Sequence, residues 1–272
     1  NSAVYNEKPS ASQFLEEWIA LAKSGSGERG IFNRGSLKQQ LPERRWKVFA
    51  KDSQFSGTNP CGEIVLKSKE FCNLSEVVGR SDDTEETLLS KVRLATILGT
   101  YQSSLTNFTY ISKDWQKNCN EERLLGVSVT GQWDCPALRN PVTLRKLKET
   151  SIEVNKIYAA KMGISPSVCI TCVKPSGTVS QLVDAASGLH PRHAKYYIRR
   201  VRINATDPLF QMLKDQKIPY YPEVGQSMSS ANTFVVEFPV KAPEGTVVSN
   251  DLSAIEQLEY WKMVKENYTE HN

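Results

Sequence analysis

Nowhere in the 272 residues do apolar side chains run on for the roughly 18 to 20 positions that a membrane-spanning helix needs. The amino terminus, Asn-Ser-Ala-Val-Tyr, lacks the basic and apolar blocks of a signal peptide. Both absences predict a cytoplasmic protein with no membrane partner. Cysteine is sparse as well. Six in a chain of this length are too few for a disulfide scaffold, so in a reducing compartment they serve packing or chemistry. The CxxC at Cys169-Ile-Thr-Cys172 has no second CxxC or His pair spaced to complete a zinc site. On a strand its two thiols would face opposite ways, so it reads as packing. An excess of one charge is also missing, since 34 basic against 30 acidic residues leave +4, too little to argue for a nucleic-acid partner. There is no Gly-x4-Gly-Lys-Ser/Thr phosphate loop, no internal repeat and no low-complexity tract. An initiator Met is absent and the sequence stops directly after a helical pattern, which suggests an internal piece of a longer protein.

What remains is an ordinary soluble composition, 39% hydrophobic and 24% charged. Ser10 and Gln13 form a capping-box pattern ahead of Phe14, Leu15, Trp18, Ile19 and Ala22, predicting a helix with one buried face that ends at Gly25. Residues 24–57 read as loops with a short helix near 36–40. Residues 64–66 and 71–74 read as short extended segments around a Lys-Ser-Lys turn. Helical periodicity returns over 82–107 and over 142–162, the latter between Pro141 and Gly163. Residues 167–173 are β-branched and apolar, as in a strand buried on both faces, and 232–240 form another strand. Ser253 and Glu256 cap a last helix. Long helices alternating with short apolar strands predict an α/β protein with a mainly parallel sheet or barrel, a single and incomplete domain over 1–272.

Two stretches look chemical. Ser56-Gly-Thr-Asn-Pro-Cys-Gly-Glu-Ile64 crowds an amide, a thiol and a carboxylate together, and in an extended backbone Asn59, Cys61 and Glu63 would point the same way. An ordinary Pro/Gly turn that contains a cysteine fits the same residues. Cys72, eleven positions after Cys61, tilts the balance. Two short strands with a turn between them would return it toward the first thiol, giving a nucleophile, a redox couple or a one-electron carrier beside a carboxylate. The second stretch is Lys174-Pro-Ser-Gly-Thr178, directly after the buried strand. A strand-to-helix turn there offers amides and hydroxyls to an anion, although a plain capped turn would look alike. The segment Gly188-Leu-His-Pro-Arg-His193 through Lys195-Tyr-Tyr-Ile-Arg-Arg-Val-Arg202 is basic and aromatic, and reads as a strand with a solvated basic face.

Taken together these pieces resemble the catalytic barrel of the ribonucleotide reductases. Asn59-Pro-Cys-Gly-Glu63 is similar to the family's radical-bearing finger loop, and Phe71-Cys-Asn-Leu-Ser75 to its redox-cysteine strand. Arg123-Leu-Leu-Gly-Val-Ser-Val-Thr-Gly131 is similar to a core segment, and Lys174-Pro-Ser-Gly-Thr178 to the substrate-phosphate loop, in the same order along the chain. The Ser-Gly-Thr form of that loop most resembles the adenosylcobalamin-dependent, monomeric ribonucleoside-triphosphate reductases; class I large subunits would carry Ser-Glu-Thr. The resemblance implies the second half of a ten-stranded α/β barrel around a central finger loop. It also implies reduction of ribonucleoside triphosphates or diphosphates to deoxyribonucleotides, with adenosylcobalamin as cofactor and thioredoxin or a similar dithiol as reductant. A deoxynucleotide effector would bind outside these residues. By the same resemblance Cys61 carries a thiyl radical, Glu63 is the general base, Asn59 aligns the sugar, Cys72 is one redox thiol, and Pro175, Ser176, Gly177 and Thr178 clamp the phosphates. One departure stands out. The family's redox partner of Cys72 lies upstream of the finger loop, where this sequence has no cysteine, and Cys119, Cys135, Cys169 and Cys172 match none of the family's roles. A class I large subunit with a di-iron partner and a non-catalytic nucleotide-binding module are the alternative readings.

Overall fold

The computed structural model describes residues 2–27 and 30–271. Positions 1 and 272, the ends of the single-domain assignment, and 28 and 29, within the expected 24–57 loop, lie outside the described residues. The chain folds as two compact units, residues 191–253 forming one and the remainder the other.

The larger unit begins with β1 (Ser2–Tyr5), paired in parallel with β2 (Gly30–Asn33), and between them runs α1 (Ala11–Ser24). The Ser10/Gln13 capping box forms and Gly25 ends the helix in the left-handed conformation, as the sequence predicts. The expected buried face does not form: Phe14, Leu15, Trp18 and Ile19 are all exposed. Residues 34–55 are more ordered than their composition suggests, with α2 (Leu37–Gln40) followed by α3 (Glu43–Phe49). Leu37, Leu41 and Phe49 make a small core with Val65. The pattern of α3 is hidden in the sequence because one of its two buried positions is a charged one, Arg45.

The strands β3 (Gly57–Thr58) and β4 (Val65–Leu66) form a short antiparallel hairpin. The chain then enters β5 (Asn73–Val78), which does not pair with the hairpin but lies parallel to β6 (Leu125–Thr130). Between them come α4 (Glu85–Ser103) and α5 (Lys113–Glu122). The helix α6 (Pro141–Lys161) follows β6. All six residues of β6 are buried, and alternation divides them. Leu125, Val127 and Val129 pack with Leu88 and Val92 of α4 and Leu144 and Leu147 of α6 in the main core. Gly126 and Ser128 take the opposite face, where the functional groups gather. Residues 168–172 run parallel to β6 on its other side as a third, irregular strand. The Leu125 N–H reaches the Cys169 carbonyl, and the Val127 N–H reaches that of Ile170. A regular parallel ladder would advance two residues on both sides, so one residue is slipped and only a bridge to Thr171 remains. The burial expected of this segment holds, since Cys169, Ile170, Thr171 and Cys172 are inaccessible. A short helix, α7 (Gly177–Leu182), follows it.

The smaller unit is a three-stranded antiparallel sheet, β7 (Tyr196–Asn204), β9 (Thr233–Lys241) and β8 (Tyr220–Pro222) in spatial order, with α8 (Pro208–Asp215) before β8. Phe210 stacks on Phe234 in its core with Ile203 and Val236. On the basic strand β7, Arg200 pairs with Glu237 and Arg202 with Glu223. After this unit, α9 (Ala254–Asn267) returns to the larger one, placing Tyr260 and Val264 in the main core. No described helix is long and apolar enough to cross a membrane.

Candidate functional site

The hairpin β3–β4 presents its tip, residues 59–64, as a turn rather than an extended strand. The Asn59 N–H donates to the Ile64 carbonyl (3.0 Å) and the Gly62 N–H to the Asn59 carbonyl (3.0 Å). The Asn59 side-chain oxygen accepts from the Ile64 N–H at 2.9 Å, so the amide braces the loop that carries it. At the base, the buried Arg45 guanidinium donates to the Val65 carbonyl (2.6 Å) while its Nε binds Glu122 (2.9 Å). Cys61 is exposed at the tip, whereas Glu63 is only 6% exposed. Both border a cavity of about 290 Å3 that Lys174, His190, Trp261 and Lys265 also line. Asn59 is absent from that lining. Neither Glu63 oxygen has a hydrogen-bond partner, and the Lys174 ammonium lies 3.4 Å away as an ion pair.

Cys72 lies immediately before β5, partly exposed as a residue but with its sulfur turned toward Gly126 of β6. Its neighbour is a thiol that sequence reasoning assigned to packing. A Cβ placed on Gly126 would lie 3.1 Å from the sulfurs of both Cys72 and Cys172, so the two thiols share the space that a side chain there would fill. Burial pushes both well above the usual cysteine range; Cys172 raises Cys72 further, and the Glu63 carboxylate raises Cys172. All six cysteines are free thiols. Only the bareness of Gly126 signals this arrangement in the sequence, and a lone glycine in a strand has many explanations.

The turn after the third strand divides its residues. Pro175, Gly177 and Thr178 are exposed, but Ser176 is buried in the left-handed conformation at φ 40°. Its hydroxyl donates inward to Glu76 of β5 (2.5 Å). The other Glu76 oxygen accepts from Ser128 of β6 (3.0 Å), and Ser128 in turn accepts the Lys174 N–H (3.0 Å). Both β5 and β6 are thereby tied to the segment 174–176. Ser128 lies in the 123–131 segment singled out in the sequence, but nothing there pointed to its pairing with Glu76. Among the described residues, no group of three or more His, Cys, Asp or Glu side chains is placed to hold a metal ion.

No protein-family model matches the chain. It is 31% identical over 258 residues to an adenosylcobalamin-dependent ribonucleoside-triphosphate reductase of Levilactobacillus brevis, which aligns with 82% of this chain and 33% of that protein. A reductase of the same name from Lactobacillus gasseri is 30% identical over 279 aligned positions, covering 89% of this chain and 34% of its own length. The chain thus spans about a third of the curated relatives it matches. Among solved structures, the crystal structure of a B12-dependent, class II ribonucleotide reductase superposes over 100% of this chain and 41% of its own, with a TM-score of 0.75 and 26% identity. The α subunit of the class Id reductase of Actinobacillus ureae covers 97% of this chain at a TM-score of 0.63 and 15% identity, a likeness of fold.

Proposed function

Because the chain belongs to the ribonucleotide reductase family, we propose that the protein reduces ribonucleoside triphosphates to 2′-deoxyribonucleotides by radical chemistry at Cys61. The observation that carries this reading is that Cys61 and Glu63 open on one cavity, flanked by the segment that leads into the 175–178 turn. As a thiyl radical, Cys61 would take the 3′ hydrogen of the ribose, and Glu63 the 3′-hydroxyl proton. Asn59, its oxygen engaged by the Ile64 amide, still has two side-chain protons to donate to the sugar. The 2′-hydroxyl then leaves as water, and two electrons come from Cys72 and a second thiol, which end as a disulfide. Pro175, Gly177 and Thr178 lie exposed where a phosphate tail would run, and Ser176 shapes the turn from beneath through Glu76.

Adenosylcobalamin is the proposed cofactor, and when bound it supplies the one-electron oxidation of the thiol. The described residues fit it only at the exposed Cys61, since a cavity of about 290 Å3 has no room for a corrin ring, and none of them is assigned to hold it. Thioredoxin or a similar dithiol as reductant, a deoxynucleotide effector bound outside these residues, a monomeric state and a cytoplasmic location complete the proposal. The test is deoxynucleotide formation by the full-length protein from ribonucleoside triphosphates and a dithiol. Product should appear only with adenosylcobalamin. Activity that instead needs a second, radical-generating subunit would assign it to class I, and nucleotide binding without any product would make it a non-catalytic module.

A further inference from the structure

We propose that Lys174 is a positioning residue for Glu63, an exchangeable counter-ion that the phosphate of an arriving nucleotide draws away from the carboxylate. The inference rests on the reading of Glu63 as the base in ribonucleotide reduction. Its first support is the state of Glu63 itself. A carboxylate 6% exposed with neither oxygen hydrogen-bonded is costly to keep charged, and the Lys174 ammonium at 3.4 Å compensates it. The pair lies within ion-pair range without hydrogen-bond geometry, so it is an attraction that a better partner can replace.

The second support is how Lys174 is held. Its backbone is gripped from both sides. The N–H is fixed by Ser128 (3.0 Å), itself tied to Glu76 (3.0 Å). The carbonyl is packed against Gly188, where an added Cβ would lie only 2.4 Å away and the backbone is left-handed at φ +56°. The side chain is not gripped: 28% of it is exposed, on the wall of the cavity shared with Cys61. A fixed root with a partly exposed ammonium on a flexible four-carbon stem allows the charge to swing without moving the loop.

The third support is what comes next in the chain. Lys174 directly precedes the exposed Pro175, Gly177 and Thr178 turn, and Glu76 already occupies the Ser176 hydroxyl. A triphosphate seated there brings more negative charge to the ammonium than one carboxylate does, in a more solvated place. Exchange of partners leaves Glu63 buried and uncompensated beside the ribose. Accepting the 3′-hydroxyl proton relieves that charge: the substrate O–H bond breaks, the carboxyl O–H bond forms, and no electron is transferred. Base and substrate are thereby coupled, so that Glu63 is released only when a phosphate is in place.

The test uses the full-length protein and Lys174→Met, which keeps length and removes charge, with Lys174→Arg as the charge-preserving control. Turnover is measured alongside equilibrium dialysis of ATP and CTP without reductant. Lys174→Met should lower kcat about tenfold or more while nucleotide affinity stays within about threefold, since one ion pair is exchanged for another on binding. Lys174→Arg should recover most of the turnover. A kcat unchanged in Lys174→Met would overturn the proposal, as would a loss of affinity that accounts for all of the lost kcat/KM, which describes a plain phosphate contact. Failure of the unmodified protein to reduce any ribonucleotide would instead refute the reductase reading on which the proposal stands.

Discussion

Gly126 matters through what its missing side chain admits. The sulfurs of Cys72 and Cys172 each lie 3.1 Å from the place a Cβ would take, and Leu74 Cδ2 lies 2.4 Å from it. Gly126→Ala should therefore overpack the inner face of β6 and lower stability by about 1–3 kcal/mol. Denaturant unfolding measures this, and an unchanged midpoint would mean that the thiols move aside freely. At this scale the sequence was partly legible. Cys61 and Glu63 stood out because a thiol and a carboxylate on either side of one glycine is a rare and reactive combination, and both do border one cavity. The alternation argument that grouped Asn59 with them assumed an extended backbone, whereas the tip is a turn and the Asn59 oxygen braces it. Lys174 and Ser128 fell inside stretches that stood out, but their roles and that of Glu76 were illegible because they depend on strands distant in sequence coming together, with 100 residues separating Glu76 from Ser176.

Among the elements, the hairpin β3–β4 depends on a helix that composition hides. Arg45 of α3 is fully buried; it binds Glu122 at 2.9 Å, approaches Glu70 at 3.8 Å and donates to the Val65 carbonyl, while Lys67 binds the other face of Glu122 at 3.0 Å. Breaking a buried pair by removing one partner leaves the other charge uncompensated. Arg45→Met should cost about 3–5 kcal/mol of stability in denaturant unfolding. It should also loosen the finger loop, seen as faster amide exchange of Ile64 and Val65. Stability unchanged within error would show that the cluster is idle. The same burial explains why α3 was read as loop: a charged residue at one of its two buried positions breaks the apolar periodicity by which helices are found. The helices expected at 82–107 and 142–162 form as α4 and α6 with ends shifted by one to four residues, whereas α5 and α8, at 10 and 8 residues, are too short for their periodicity to stand out. The fault at α1 was different, since its amphipathic pattern specifies an apolar face but not what covers it.

The chain matches part of an α/β barrel; its larger unit carries β5, β6 and the irregular strand 168–172 in parallel, and residues 191–253 form a separate antiparallel unit. Its charge cluster makes stability depend on pH. Burial, and then the neighbouring Glu122, pushes the Glu70 carboxyl up from 4.5 to about 8. The folded state thus keeps a proton that the unfolded chain gives up, so this residue's contribution favours folding at low pH and is lost as pH rises from 4.5 through 8. Burial, and then Arg45, holds His271 well below 6.5, so its contribution is lost in the other direction, on acidification below 6.5 where the unfolded chain gains the proton. Between 6.5 and 8 the Glu70 slope stands alone of the two: the melting temperature should fall across that window, and Glu70→Gln should flatten it. An equal slope in the variant would place the titration elsewhere. The fold class was legible from the alternation of helices and apolar strands, while the slipped register of 168–172 was not, because burial on both faces leaves no alternation to fix it. The central claim is that Cys61 carries the radical, and the most direct test compares the full-length protein with its Cys61→Ser variant for deoxynucleotide formation and for nucleotide binding. The account predicts unchanged binding and no deoxynucleotide from the variant, and normal turnover by Cys61→Ser would contradict it.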